Sequence, residues 1–152
     1  MQQPNLPTIL MVEDNEDDYE ATTKAFELAQ IANPVQWCKN GKDALDYLKH
    51  QGKYGAAPVP ALPALILLDL NMPGLDGRKT LALVKQDPHL RKIPVVILTT
   101  SADENDIEKC YALGASSYIQ KPVDFEALVR AAKSIKSYWL ETALLPKTRR
   151  QP

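Results

Sequence analysis

Residues 65–77 read LILLDLNMPGLDG and join a fully apolar run to an acid and a turn. The run LILL does not alternate with polar residues, which indicates a strand covered on both faces. Asp69 follows it directly, and the Pro-Gly pair at 73–74 marks the turn. A carboxylate at the end of a buried strand is costly unless it is paired. Asp69 therefore needs partners from elsewhere in the chain.

Short apolar runs alternate with apolar residues at helical spacing on both sides of this stretch. Five strands alternating with five helices predict an α/β fold, a parallel sheet with helices on both faces. The last helix is unusually long in this interpretation. The predicted strands are 8–12, 34–38, 65–68, 94–99 and 117–120, and the predicted helices are 17–30, 41–48, 78–86, 103–113 and 124 to about 145.

The bulk composition excludes several classes of protein. A chain of 152 residues is close to one ordinary domain, and its formal net charge of −1 predicts neither nucleic-acid nor membrane-surface binding. The amino-terminal residues lack the pattern of a signal peptide, and no apolar run is long enough to span a membrane. Cys38 and Cys110 have no metal-binding or redox spacing, so we expect reduced thiols and a cytoplasmic protein.

Two segments stand outside the alternating pattern. Residues 51–63 contain three prolines and two glycines, which predicts an extended loop before the third strand. A loop of this length is either functional or a solvated insertion, and the sequence does not separate the two. The final residues PKTRRQP, at 146–152, predict a frayed basic tail.

Polar residues stand where the predicted strands end. Glu13 and Asp14 follow the first strand, Asp69 follows the third, Thr99 ends the fourth and Lys121 follows the fifth. In open parallel sheets, ligands bind outside these carboxyl ends. Three neighbouring carboxylates repel one another, and Mg²⁺ together with a lysine ammonium relieves that repulsion. A carboxylate held in this way is suited to nucleophilic attack on phosphorus, which forms an aspartyl phosphate.

Four motifs occur together in a recognisable order: VED at 12–14, LLDLNMPGLDG at 67–77, LTTS at 98–101 and YIQKP at 118–122. Together they resemble the signature of response-regulator receiver domains over residues 8–140. The resemblance implies a flavodoxin-like α/β fold with five parallel strands, and a signalling protein rather than a conventional enzyme. It also implies phosphorylation by a histidine kinase. Residues 141–152 are then a carboxyl-terminal extension without a separate output domain.

The resemblance assigns roles to individual residues. It implies that Asp69 accepts the phosphoryl group and that Mg²⁺ is bound by the carboxylates of Asp14 and Asp69, with Glu13 helping to hold it. The backbone carbonyl of Asn71 completes the protein's contribution to the metal. At the first acidic position the family more often has Asp, and the longer Glu13 is expected to serve the metal as well, through water.

Further roles concern the phosphoryl group and a conformational switch. The resemblance implies that Thr99 and Lys121 contact the phosphoryl group and that Tyr118 is an aromatic rotamer switch. It also implies a cis peptide bond before Pro122. Thr100 stands where the family commonly has a small alanine, which affects how freely the switch moves.

Three longer segments give a closer resemblance: LMVEDNEDDYE at 10–20, residues 53–74 and SIKSYWLETALLP at 134–146. They are similar to the small single-domain regulators that pair with cyanobacterial phytochromes. The implied partner is a histidine kinase that senses red and far-red light.

Apolar residues on the last helix continue past the expected end of the sheet. Such a surface often marks an interface, and we expect a homodimer through the fourth helix, fifth strand and fifth helix. The alternative is that this segment folds back on its own domain. The candidate interface residues are Phe125, Tyr138, Trp139, Leu140 and Leu144.

Two other functions share the predicted fold. A pseudo-receiver would bind partners without ever taking phosphate, and the intact set of acids, threonine and lysine argues against it. A flavin-binding carrier would need a phosphate-binding loop after the first strand. The acidic run EDNEDD at 13–18 would repel a phosphate there, which excludes the carrier.

Overall fold

The computed structural model describes residues 6–56 and 58–150. Five strands alternate with five helices, as the sequence predicts. The strands are β1 (Ile9–Val12), β2 (Val35–Cys38), β3 (Leu65–Leu68), β4 (Val95–Thr99) and β5 (Ser117–Gln120). The helices are α1 (Glu16–Leu28), α2 (Gly41–Lys49), α3 (Gly77–Gln86), α4 (Glu104–Leu113) and α5 (Phe125–Ile135), with a 3₁₀ turn at Gly52–Tyr54 and a π-helical segment at Lys136–Thr142.

The five strands form one parallel sheet in the order β2-β1-β3-β4-β5. This arrangement confirms the predicted parallel α/β fold. Strand β1 lies between β2 and β3, and Val12 pairs with Cys38 on one side and Leu68 on the other. The residues that follow β1 and β3 therefore emerge side by side at the carboxyl edge of the sheet.

Alternate residues of each strand face opposite layers of the core. Leu10 and Val12 belong to the core cluster shared with α2 and α3. Ile9 and Met11 belong to the other cluster, which is shared with α1 and α5. All four are almost fully buried, so the central strands have no solvent-facing side, as expected for a doubly covered parallel sheet.

Each of the helices α1 to α5 begins with a side-chain cap. An Asn or Asp oxygen accepts a backbone N–H of the first turn, which satisfies a donor that has no partner within the helix. At the other end of α4, Gly114 adopts a left-handed φ of 112°, the conformation that glycine tolerates best. The capping residues are Asn15, Asn40, Asp76, Asp103 and Asp124.

The last helix differs from the prediction, which extended it to about residue 145. After α5 the chain widens into the π-helical segment, and the Ala143 N–H donates to the Tyr138 carbonyl five residues earlier, at 2.7 Å. Ala143 is already extended. Pro146 cannot join the helix, because its ring would clash with the carbonyl four residues earlier, that of Thr142.

The carboxyl-terminal tail is anchored as far as residue 150, so the prediction that it is frayed is wrong for this part. The Leu62 N–H donates to the Thr148 carbonyl at 2.6 Å. Arg150 donates to the carbonyls of Pro60 and Leu48, both at 2.8 Å. These bonds tie the tail to the 51–63 loop and to the last turn of α2. Residues 151–152, and Ala57 within the loop, lie outside the described residues.

None of the described helices has the length and apolar character needed to cross a bilayer.

Candidate functional site

Three acids meet at the carboxyl edge of the sheet. Glu13 and Asp14 follow β1, and Asp69 follows the neighbouring strand β3. One carboxylate oxygen from each lies within 4.8 Å of the others. Glu13 and Asp69 are buried while Asp14 is exposed, so the cluster opens to solvent on one side. Oxygen donors at this spacing are suited to a hard divalent cation.

Lys121 brings an ammonium group to the same place from the end of β5. Its Nζ donates to the Glu13 carboxylate, to Asp18 Oδ2 at 3.0 Å and to Asp69 Oδ2 at 3.5 Å. Sequence reasoning missed Asp18. The available signal was its place in the first turn of α1, four residues after Asp14, within the acidic run that follows β1.

Negative charge exceeds positive charge in this cluster. Burial, with a further contribution from the Asp69 charge, raises the pKa of Glu13 to about 7, although Lys121 opposes the shift. Burial alone lowers the pKa of Lys121, but its hydrogen bonds to Glu13 and Asp18 raise it overall. Lys121 is therefore firmly protonated, and one ammonium faces four carboxylates. A further cation would complete the balance.

The backbone around Asp69 is held by close packing of α3. A Cβ on Gly77 would lie 2.1 Å from the Asp69 carbonyl oxygen and 2.6 Å from the Leu70 Cα, so a larger residue does not fit. The Gly77 N–H donates to the Leu70 carbonyl at 3.1 Å. Glycine at this position allows the first turn of α3 to approach the end of β3 and fix the Asp69 backbone.

Asn71 and Thr99 border Asp69. The Asn71 backbone N–H lies 3.4 Å from Asp69 Oδ1, and its side-chain amide lies 3.5 Å from the Thr99 hydroxyl. Thr99 is fully buried at the end of β4, and its carbonyl accepts the Lys121 N–H at 2.6 Å. The structure thus brings Thr99 and Lys121 to the same edge as the acids.

Tyr118, on β5, reaches the loop after β4. Its hydroxyl donates to the Ser101 carbonyl at 2.9 Å, and its ring packs against the core. The chain contains no cis peptide bond among the described residues, so the Lys121–Pro122 bond is trans, contrary to expectation. The trans form is the lower-energy isomer of an X–Pro bond.

Trp37 supports the acidic loop and was not singled out from the sequence. Its indole N–H donates to the Glu13 carbonyl at 2.7 Å, and the Tyr19 ring stacks on it with centroids 3.9 Å apart. Trp37 lies on β2, beside β1, so only the pairing of the two strands brings it to Glu13. No spacing in the sequence indicates this contact.

The candidate interface residues divide into two groups. Phe125, Tyr138 and Leu144 are exposed. Trp139 and Leu140 are half-buried and pack against the core cluster shared with α1 and α5. A groove of about 350 Å³ lies between β5 and this segment. Part of the apolar surface thus folds back on its own domain, and part remains open.

The sequence and the fold can now be compared with those of known protein families. The model of the response regulator receiver domain matches residues 9–133, most of the chain. The chain belongs to this family. Receiver domains are signalling modules that bind a divalent metal, and phosphorylation by a kinase is their general mechanism. The fold, with five parallel strands and five helices, is the flavodoxin-like receiver fold that the resemblance implies.

Two curated relatives match over most of their length. A probable methanogenesis regulatory protein, FilR2 of Methanothrix harundinacea, is 42% identical over 133 residues, which cover 87% of this chain and 83% of that protein. Response regulator Rcp1 of Synechocystis sp. is 40% identical over 138 residues, which cover 91% of this chain and 92% of that protein.

Two solved structures are similar in both fold and sequence. The phosphorylated cyanobacterial phytochrome response regulator RcpA has a TM-score of 0.85 and 40% identity, covering 93% of this chain and 99% of that one. The Mn²⁺-bound form of Rcp1 has a TM-score of 0.82 and 39% identity, covering 92% and 99%. The phytochrome-associated regulators that the sequence resembles are thus among its relatives.

Proposed function

We propose that this receiver is a phosphorylation switch in which Asp69 accepts a phosphoryl group from the phosphohistidine of a histidine kinase. In the transfer the P–N bond to the imidazole breaks, its electron pair stays on the nitrogen, and a P–O bond forms to the Asp69 carboxylate. The contact of Lys121 with Asp69 carries the proposal, because it joins a nucleophilic acid to a fixed positive charge at the sheet edge.

We assign the metal site to the carboxylates of Glu13, Asp14 and Asp69, together with the backbone carbonyl of Asn71. The 4.8 Å grouping of the three acids supports this set, as does the excess negative charge. We propose Mg²⁺ as the metal, because a site that needs few protein ligands suits its preference for retained waters. Bound there, it supplies charge neutralisation for the phosphoryl oxygens.

Lys121 and Thr99 act on the phosphoryl group itself. The Lys121 ammonium, held by three carboxylates, is placed to neutralise charge as it develops on the phosphoryl oxygens. The Thr99 hydroxyl, buried beside Asn71, donates to another of those oxygens. Transfer then depends on positioning and charge, which is the usual requirement of phosphoryl chemistry.

The switch consists of Thr99 and Tyr118. When Thr99 turns to the phosphoryl group, the loop after β4 moves with it, and the Tyr118 hydroxyl bonds to that loop at Ser101. The phosphoryl group favours one of two arrangements, which is a population shift. The outcome is a changed partner surface on α4, β5 and α5.

Among possible kinases we propose a phytochrome, because RcpA, which is 40% identical to this chain, is a cyanobacterial phytochrome response regulator. A cytoplasmic location belongs to the same proposal and is supported by the two free buried cysteines, Cys38 and Cys110. We place the receiver at residues 8–140, with 141–152 as its extension.

A homodimer through α4, β5 and α5 completes the proposal. The support is the open edge of β5 and the groove beside it, together with exposed Tyr138 and Leu144. Sedimentation at tens of micromolar tests this part, with and without phosphorylation. A monomer under both conditions would remove it.

Intact-protein mass after incubation with acetyl phosphate and Mg²⁺ tests the switch. The wild type is expected to gain one phosphoryl group, and Asp69→Asn none. Asp17→Asn, which removes an exposed acid of the same edge, is the matched control and should gain phosphate normally. A wild type that gains nothing would contradict the proposal and favour a pseudo-receiver.

A further inference from the structure

An ion pair between α3 and α4 lies next to the switch and has no part in the site described above. Arg78 donates from Nε to Asp106 Oδ1 at 2.7 Å and from Nη2 to Oδ2 at 2.8 Å. Two parallel bonds of this kind are stronger and more directional than a single contact. The hydrogen bonds from Arg78 are the main reason that the pKa of Asp106 falls to about 2.

Ser101 connects this pair to the switch. Its hydroxyl donates to Asp106 Oδ2 at 2.8 Å and accepts the Asp103 backbone N–H at 3.2 Å. Its carbonyl accepts the Tyr118 hydroxyl at 2.9 Å. Asp106 and Tyr118 thus bind opposite groups of one residue, which lies two positions after Thr99.

We propose that Arg78 is a positioning residue for the switch: through Asp106 and Ser101 it holds the loop after β4 where Tyr118 can bond to it. This inference rests on the proposed function, since it concerns the regulation of Thr99 and Tyr118. Nothing in the chemistry at Asp69 requires a contact to Arg78.

The physical argument concerns what happens to Asp106 without its partner. Arg78 holds both carboxylate oxygens in one orientation, and that orientation presents Oδ2 to the Ser101 hydroxyl. Without the guanidinium, the carboxylate is free to turn towards water, and its hold on Ser101 weakens. The Ser101 carbonyl then spends less time in place, and the ratio of loop-bound to unbound Tyr118 should fall about tenfold, within the usual range of coupling between sites.

Fluorine NMR of protein labelled with fluorotyrosine, in the absence of any phosphate donor, measures this ratio. The chain has six tyrosines, and Tyr118→Phe identifies the relevant signal. Arg78→Met and Asp106→Asn should each shift the signal towards unbound tyrosine by about tenfold in population. The double variant should do no more than either single one, because both act along one path. Arg78→Lys keeps the charge without the paired bonds and should lie between.

The matched control is Lys42→Met, which breaks another helix-surface ion pair, the 3.0 Å contact with Asp46, away from the switch. It should leave the Tyr118 signal unchanged. Should Arg78→Met fail to fold, Ser101→Ala removes the hydroxyl bond to Asp106, together with the acceptor of the Asp103 N–H, and is expected to give the same shift. A Tyr118 signal like that of the wild type in folded Arg78→Met, or in Ser101→Ala, would overturn the inference.

The two proposals fail separately. The tyrosine measurement needs no phosphoryl transfer, so it stays decisive if Asp69 proves unable to take phosphate. Conversely, Asp69 could be phosphorylated normally while the Tyr118 signal does not change in the Arg78 variants. That result would support the switch function and reject only the role of Arg78.

Discussion

Lys121 and Arg150 each place one cationic side chain at an edge of the same sheet, but Lys121 meets carboxylates and Arg150 meets backbone carbonyls. At the carboxyl edge, Lys121 contacts three carboxylates. At the opposite edge, Arg150 donates to backbone carbonyls of the last turn of α2 and of the 51–63 loop. Carbonyls at a helix end carry only partial negative charge. Arg150 therefore satisfies the carbonyls around it, whereas the carboxylates around Lys121 still lack positive charge.

This difference separates a site from a structural clamp. Arg150 completes hydrogen bonds that α2 cannot make within itself, and the atoms it contacts are neutral carbonyl oxygens. At the carboxyl edge, keeping the buried acids close together costs electrostatic free energy, and folding alone does not explain why the chain bears that cost. An arrangement of this kind is typical of functional sites, where strained electrostatics serve the chemistry.

The largest expected effect comes from removing the cation of the acidic edge. Lys121→Met should slow phosphorylation by acetyl phosphate about 100-fold, the usual cost of losing one fixed donor to a developing charge. Intact-protein mass over time measures the rate. Lys39→Met removes an exposed lysine that lies over the Trp37 ring and should change the rate less than about twofold. Equal rates in Lys121→Met and the wild type would contradict the role of Lys121.

The corresponding change at the opposite edge should affect stability alone. Arg150→Met loses charge-assisted bonds to carbonyls, which should lower the free energy of unfolding by about 2 kcal/mol. Urea unfolding measures the loss, and the neighbouring exposed Arg149→Met is the control. The phosphorylation rate of Arg150→Met should match the wild type. A change in rate as large as that of Lys121→Met would erase the distinction between the two edges.

A third variant, Asp14→Asn, tests directly whether the acidic cluster at the carboxyl edge binds a cation. Asp14→Asn removes one of the three grouped acids and should weaken Mg²⁺ binding about tenfold. Calorimetric titration, or the fluorescence of Trp37, which bonds to the acidic loop, reports the affinity. The exposed Asp17→Asn should bind Mg²⁺ as the wild type does. Undiminished binding by Asp14→Asn would show that the metal lies elsewhere.

The smallest effect is expected from Asp106, the acid of α4 that pairs with Arg78, whose contribution to stability should depend on pH. The pKa of Asp106 is about 2 in the folded protein against an ordinary 3.8, so its stabilisation is full above about pH 4 and is lost as the pH falls. The advantage of the wild type over Asp106→Asn should shrink by about 1 kcal/mol between about pH 6 and pH 2, since the partly exposed pair is partly screened.

Urea unfolding of both proteins across this range provides the measurement. An advantage that does not vary with pH would mean that Asp106 has the same pKa in the folded and unfolded chains.

The sequence predicted the carboxyl edge well because chain order and parallel strands leave little freedom there. Residues placed directly after β1, β3 and β5 must emerge at one edge, so Glu13, Asp69 and Lys121 were expected to be neighbours. The Asp18 contact depends on how α1 turns back over that edge, and the Trp37 bond depends on the pairing of β2 with β1. Neither follows from local pattern.

The opposite edge was predicted poorly for a related reason. Arg150 reaches carbonyls about 100 positions earlier in the chain. Every residue has a backbone carbonyl, so the sequence does not indicate which of them will accept a hydrogen bond. A basic tail rich in polar residues looks solvated until its acceptors are known. The change from α-helix to π-helix after Ile135 was missed because the apolar pattern continues through both.

The most direct test of the central claim is to locate the phosphoryl group. Borohydride reduces an acyl phosphate to an alcohol, so treatment of the phosphorylated protein converts the modified aspartate to homoserine, which peptide mass spectrometry identifies. We expect conversion at Asp69 alone, dependent on Mg²⁺, much slower to accumulate in Lys121→Met and absent in Asp69→Asn. Conversion at Glu13, Asp14 or Asp18 with Asp69 unchanged would contradict the account.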